Sequence, residues 1–382
     1  MPEKDRRRRR KRVLRRLRGI RGKNGSLFGV GKLPPAIAIL GAVLMVAVAD
    51  APYLVVQGSY AIRDLFGARP FDEIPSPSEA EELLFSRAAA IRRFGIERLG
   101  LSNTKSYTRY RRIDREALVW VVSGVQMTSW ERHLWEYPLV GSLPYRGYYR
   151  REDALQEADS LKARGFDTLV RRVTAYSFLG IVPDPLYSFS LERPDSSLAD
   201  LILHEMAHAT LFASGQGAFN ENFATFVGLE GSRRYIADRY GADSREYAEM
   251  VALREDREAA RRLMRELHER LEEHFQTTTG DELIAGKERI YEEFQARLSV
   301  QYSELFTTEA YRWLAETELN NAVVDLFIKY SGDLDLFYRL LEQRGDSLSE
   351  VVETLLMHRK ALRRGGLHEV RRLLEVSTPD QR

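Results

Sequence analysis

The 382 residues contain no cysteine. That excludes disulfides and thiolate metal sites, and it also excludes anchoring through a lipid-modified cysteine. Histidine is scarce, with seven in the chain, so a pair of imidazoles at a ligand spacing stands out. No internal repeat occurs at solenoid periods. What is present is the composition of a folded protein, 44% hydrophobic, 10% aromatic and 30% charged, rather than that of a disordered one. The length permits one large domain or two ordinary ones.

The net charge of +2 hides a marked asymmetry. Residues 1–32 hold 14 Lys/Arg against Glu3 and Asp5, while the remainder holds 44 Lys/Arg against 54 Asp/Glu. A basic arm can bind nucleic acid. Here no aromatic is interleaved among Arg6 to Arg21, the body is acidic, and an apolar run follows directly, so no nucleic-acid partner is expected. Leu33 to Ala49 (LPPAIAILGAVLMVAVA) carries no charge, and beyond Asp50 the apolar character continues through Val56. With arginines before it, residues 33–56 read as a signal-anchor, or as a signal peptide cleaved after Ala47-Val48-Ala49. Both readings export the body. The expected location is the cytoplasmic membrane by a single pass, with the catalytic part on the periplasmic side, or a cleaved and secreted form.

Four segments are expected: a basic cytoplasmic arm (1–32), the anchor or signal (33–56), a catalytic region (57–231) and a helical C-terminal region (232–382). Apolar spacing predicts a helix over 78–100, punctuated by Gly95 and Gly100. Short β-branched and aromatic runs follow, Ala117 to Val122, Thr168 to Val173 and Ala175 to Ile181, around one helical stretch from Glu152 to Arg164. They read as a small mixed sheet with helices. Beyond Gly231 helices are expected over 244–275, 281–302, 309–330, 333–344 and 347–363.

Chemistry concentrates in one helix. Pro194 precedes it, Ser197 and Asp200 form a capping-box pattern, and it should run to about Ala213. It is apolar nearly all round and so lies inside the protein. His204 and His208 project from one face, one turn apart, a separation that suits two imidazole nitrogens on one Zn²⁺. Glu205 lies about 100° round the helix, where it can take a proton from the water that zinc acidifies. Two satisfied core histidines are the simpler alternative. After Gly215-Gln216-Gly217 a second helix begins, and a reversal at the glycines brings Glu221 level with His208. Glu221 is therefore the expected third ligand and Glu230 the substitute, while Phe219, Phe223 and Phe226 belong to the core. Asn220 can fix a ligand from behind or cap its own helix. Asp200 can orient His204 or serve the cap.

These residues resemble a known family. HEMAH, the glycine break and FNENFATFVGLEG are similar to the bacterial putative zinc aminopeptidase family, whose members share an HExxH followed by an NExFA segment and are usually membrane-attached. VGSLPYRGY (140–148), AYSFLGIVPDP (175–185) and Asn320-Asn321-Ala322 extend the resemblance over most of residues 55–360. It implies a gluzincin-like, zincin-like α+β fold that is predominantly helical. His204, His208 and Glu221 match the metal ligands and Glu205 the catalytic glutamate. The gap between His208 and Glu221 is shorter than in most gluzincins, and the basic arm with its apolar segment stands where many relatives have a lipidated cysteine. The resemblance also suggests that a substrate backbone pairs with an edge strand near Ala175 to Ile181. Tyr176 would there donate its hydroxyl to the developing oxyanion, with packing in the sheet as the alternative. Tyr145, Arg146 and Tyr148 would line the cleft or stack on one another.

The expected function is zinc-dependent hydrolysis of peptides or proteins, aminopeptidase-like by the resemblance. An envelope endopeptidase and a non-enzymatic membrane-anchored scaffold are the alternatives. Retention of Glu205 argues against the scaffold, since a structural zinc site needs no base.

Overall fold

A computed structural model of the chain describes residues 63–64, 67–137, 141–174, 183–328 and 333–376. The apolar segment 33–56 and Tyr176 lie outside them. No helix among the described residues is long and apolar enough to cross a membrane. The fold is predominantly helical α+β, as the sequence predicts.

Helix α1 (Glu79–Leu99) opens on a complete capping box, with the Ser78 hydroxyl and the Glu81 carboxylate each bonded to the other's backbone N–H. It stops at Gly100 in the left-handed conformation, φ 71°. The short strands β1 (Arg69–Pro70) and β2 (Arg109–Arg111) then pair antiparallel. A second sheet has β3 (Val119–Gln126) at its centre, and β4 (Trp135–Tyr137) and β5 (Gly141–Leu143) form a separate hairpin. β3 runs antiparallel to both β6 (Arg146–Tyr148) and β7 (Phe166–Val173). Between the last two, α2 (Arg151–Lys162) buries Ala154, Ala158 and Leu161. β8 (Leu186–Tyr187) joins β2 in parallel, so the smaller sheet is mixed.

Helices α3 (Asp195–Thr210) and α4 (Gly217–Tyr240) follow. A charged hairpin comes next, made of α5 (Arg245–Thr277) and α6 (Asp281–Leu305), with α7 (Trp313–Glu316) and α8 (Asn321–Ile328). The chain closes with α9 (Leu334–Gln343), α10 (Leu348–Met357), α11 (Arg359–Gly365) and α12 (Leu367–Val376).

Two apolar cores form among the described residues. The first joins α1, α3 and α4 to the last four helices, and the second lies among α5 to α8. Phe219, Phe223 and Phe226 are at most 1% exposed. Phe337 of α9 packs against all three, with ring centroids 5.6 to 6.3 Å away. Helical periodicity alone locates such a stripe; only tertiary structure supplies α9 to cover it.

The C-terminal helices differ from expectation in three places. Instead of one helix over 309–330 the chain forms α7 and α8, because Asn320 and Asn321 turn their amides to backbone carbonyls of the β3–β7 region. The stretch 347–363 divides at His358, and α12 beyond Gly366 has no counterpart in the sequence reading.

Candidate metal centre

Helix α3 begins at Asp195 rather than at a Ser197 cap. Pro194 in an extended conformation stands at the N-cap with no side-chain cap bond. Its fixed φ and missing N–H suit the start of a helix. Asp195 faces Arg87 in an ion pair, and Ser197 instead accepts a bond from Arg193 at 3.3 Å. The helix stops at Thr210, three residues before Ala213. There the Thr210 hydroxyl donates to the Met206 carbonyl at 2.7 Å and accepts from the Ser102 N–H at 2.9 Å.

Between these ends α3 and α4 lie very close. A Cβ placed on Gly228 would stand 2.5 Å from Asp200 Oδ1 and 3.1 Å from His204 Cβ, and one on Gly231 would stand 2.9 Å from Leu203 Cδ1. The two glycines remove the side chains that would hold the helices apart. Residue 208 of α3 faces 221 of α4, whereas 200 and 204 face 228. The helices are therefore antiparallel neighbours.

That approach brings three groups together. His204 Nε2 and His208 Nε2 are 3.2 Å apart, and His208 Nε2 is 3.6 Å from Glu221 Oε1. The candidate ligand atoms of His204, His208 and Glu221 all lie within 4.8 Å of one another. Two nitrogens bound to one tetrahedral zinc at 2.0–2.1 Å stand roughly 3.3 Å apart, so the histidine pair fits such an ion. Burial lowers both imidazoles from 6.5 to about 4, the neighbouring His204 adding to the effect at His208. Both rings are then neutral near pH 7 and can act as ligands. Burial raises the Glu221 carboxyl, although its side chain is about half exposed, 54%.

Glu205, on the same helix and half-buried, is one of the charges acting on Tyr107. Burial first, and then the Glu205 carboxylate, push that phenol well above its ordinary range. Tyr107 is a neighbour that the sequence reading missed. It is 3% exposed, has φ 58°, and donates its N–H to the Asp184 carbonyl at 2.6 Å. Arg193 was missed too. Its guanidinium donates to the Thr174 hydroxyl at 2.8 Å, tying the end of β7 to the start of α3. A lone Arg before a helix gives no sequence signal for this.

Other expected positions are used differently. Glu230 is buried and paired with Arg233 and Arg234 at 2.5 and 2.7 Å, which takes it out of reach as the substitute ligand. Asn220 bonds back to Ala213 rather than to a ligand or its own helix end. Asp200 is pressed against Gly228, and burial raises its carboxyl against the pull of nearby arginines. Arg146 and Tyr148 lie on β6, the sheet edge opposite β7, with the guanidinium 5.8 Å from the ring centroid. Tyr145 is exposed beside them.

A family model described as "Putative aminopeptidase" matches residues 70–364. No curated protein and no solved structure matches the chain.

Proposed function

Because the chain belongs to the Putative aminopeptidase family over residues 70–364, we propose that it is a zinc-dependent peptidase using His204, His208 and Glu221 as metal ligands. One observation carries the reading: two neutral imidazoles and a carboxylate converge within 4.8 Å beside Glu205. Zinc bound there would act as a Lewis acid, lowering the pKa of a water and polarising the scissile carbonyl. Glu205 takes the proton from the attacking water and returns it to the leaving amine. Family membership favours the free amino end of a peptide as the point of attack. Cleavage of N-terminally blocked peptides would instead favour an endopeptidase.

The zincin-like core and export behind residues 33–56 are parts of the same proposal, whereas the expected division at 231/232 falls inside α4. Export predicts membrane fractionation that is lost when 33–56 is deleted; unchanged fractionation would overturn it.

The decisive experiment measures zinc content and peptide hydrolysis of the intact chain beside two variants. One zinc per chain is expected, much weakened in Glu221→Ala. Glu205→Gln should keep the zinc and lose about 10²–10⁴-fold in turnover. Full activity in Glu205→Gln would remove Glu205 as the base, and no zinc in the wild type would return the histidines to the status of core residues.

A further inference from the structure

The gap between His208 and Glu221 is short, and the chain reverses within it. α3 ends at Thr210, α4 starts at Gly217, and Gly215 takes φ 79° in the six residues between. One side chain reaches back across this reversal. The Asn220 amide, 3% exposed, accepts from the Ala213 N–H at 2.8 Å and donates to the Ala213 carbonyl at 2.9 Å. Ala213 is itself fully buried, and although its carbonyl also accepts from the Gln216 N–H at 3.1 Å, without the amide its own N–H would be stranded away from water. Asn220 occupies the first turn of α4, immediately before Glu221. Whatever fixes Asn220 therefore fixes the height and rotation at which Glu221 meets His208, 3.6 Å away.

We propose that Asn220 is a positioning residue for the metal centre: by locking Ala213 it holds Glu221 at ligand distance from the histidine pair. The inference rests on the zinc reading above. The residue type follows from the bonding. A carboxamide presents a donor and an acceptor from one carbon. Aspartate keeps the acceptor for the Ala213 N–H but has no donor for the carbonyl, and leucine has neither. Glutamine carries the same amide one methylene further out. A tight reversal needs such a lock more than a long one, because few residues are left to absorb an error in the placement of Glu221.

The test uses the intact chain with zinc alone and with cobalt(II) alone. Zinc affinity is read by competition with a chelator, and the cobalt site by its visible absorption bands. Asn220→Leu should lose about 10–100-fold in zinc affinity, and its cobalt spectrum should move toward that of Glu221→Ala. Asn220→Asp, which keeps one of the two bonds, should fall between Leu and wild type. Asn321→Leu is the control: it removes an equally buried amide from the other core and should lower thermal stability while leaving affinity and spectrum unchanged. Wild-type affinity and spectrum in Asn220→Leu would overturn the proposal. If that variant does not fold, Asn220→Asp decides it by the same readings. Zinc binding in Glu221→Ala equal to wild type would instead remove Glu221 from the ligand set, and this inference with it.

Discussion

Two imidazole nitrogens 3.2 Å apart on a buried helix face create a pH dependence of known sign. Burial holds both folded-state values near 4, against about 6.5 for an exposed histidine. Each ring binds fewer protons folded than unfolded between those values. Stability from the pair is therefore fully present above about pH 6.5 and lost as pH falls toward 4. The loss is on the order of 2–3 kcal/mol per ring before relaxation of the site. Denaturant unfolding of the metal-free chain should show a lower midpoint at pH 4.5 than at pH 7, and the difference should shrink in a His204→Gln, His208→Gln double variant. An equal drop in that variant would assign the pH dependence to other groups. The histidine spacing and Glu205 are legible in sequence because one turn of helix fixes their relation. Tyr107 is not, since it comes from a left-handed turn about a hundred residues earlier.

For the pair of helices, what matters is how closely α3 and α4 approach. Gly228 faces Asp200 and His204 with no room for a methyl group. Gly228→Ala should force the helices apart, costing about 1–3 kcal/mol and weakening zinc binding, since Glu221 rides on the displaced helix. Unfolding curves and zinc content measure the two effects separately; undiminished zinc binding would mean that the pair tolerates the shift. Helix existence was readable from apolar periodicity, but helix ends were not. Ser197 looked like a cap, yet Pro194 starts α3; Ala213 looked helical, yet Thr210 ends it. At both ends partners distant in sequence take part: Arg87 pairs with Asp195, and the Ser102 N–H donates to the Thr210 hydroxyl.

Across the whole molecule, the sheet and the second core meet at a buried polar cluster. The Asp167 carboxylate accepts from Lys287 Nζ at 2.5 Å and from the Asn321 N–H at 2.8 Å. The Asn321 amide accepts from the Tyr291 hydroxyl at 2.7 Å and donates to the Gln126 carbonyl at 2.8 Å. A satisfied cluster of this kind stabilises, but removing one member leaves the others unpaired. Asn321→Leu should cost about 2–4 kcal/mol, seen as a lower melting temperature at unchanged zinc content. A neutral effect would mean that water replaces the lost bonds. Sequence reading found Asn320-Asn321-Ala322 only through family resemblance, because its partners lie well over a hundred residues away on β3 and β7.

The sequence by itself determined the export-like N-terminal pattern, the helical character of the body and the His204-Glu205-His208 face. Each depends on composition or on periodicity within a few turns, which local chain geometry dictates. Tertiary structure then placed Glu221, the expected ligand, rather than its substitute Glu230 beside the histidines. Both acids lie on α4 within reach by residue count, but Arg233 and Arg234 hold one, while the locked reversal at Ala213 leads into the other. It also decided that the last four helices complete the core around α3 and α4. An apolar face shows in the sequence that it needs a partner, but the partner is chosen only when the chain packs.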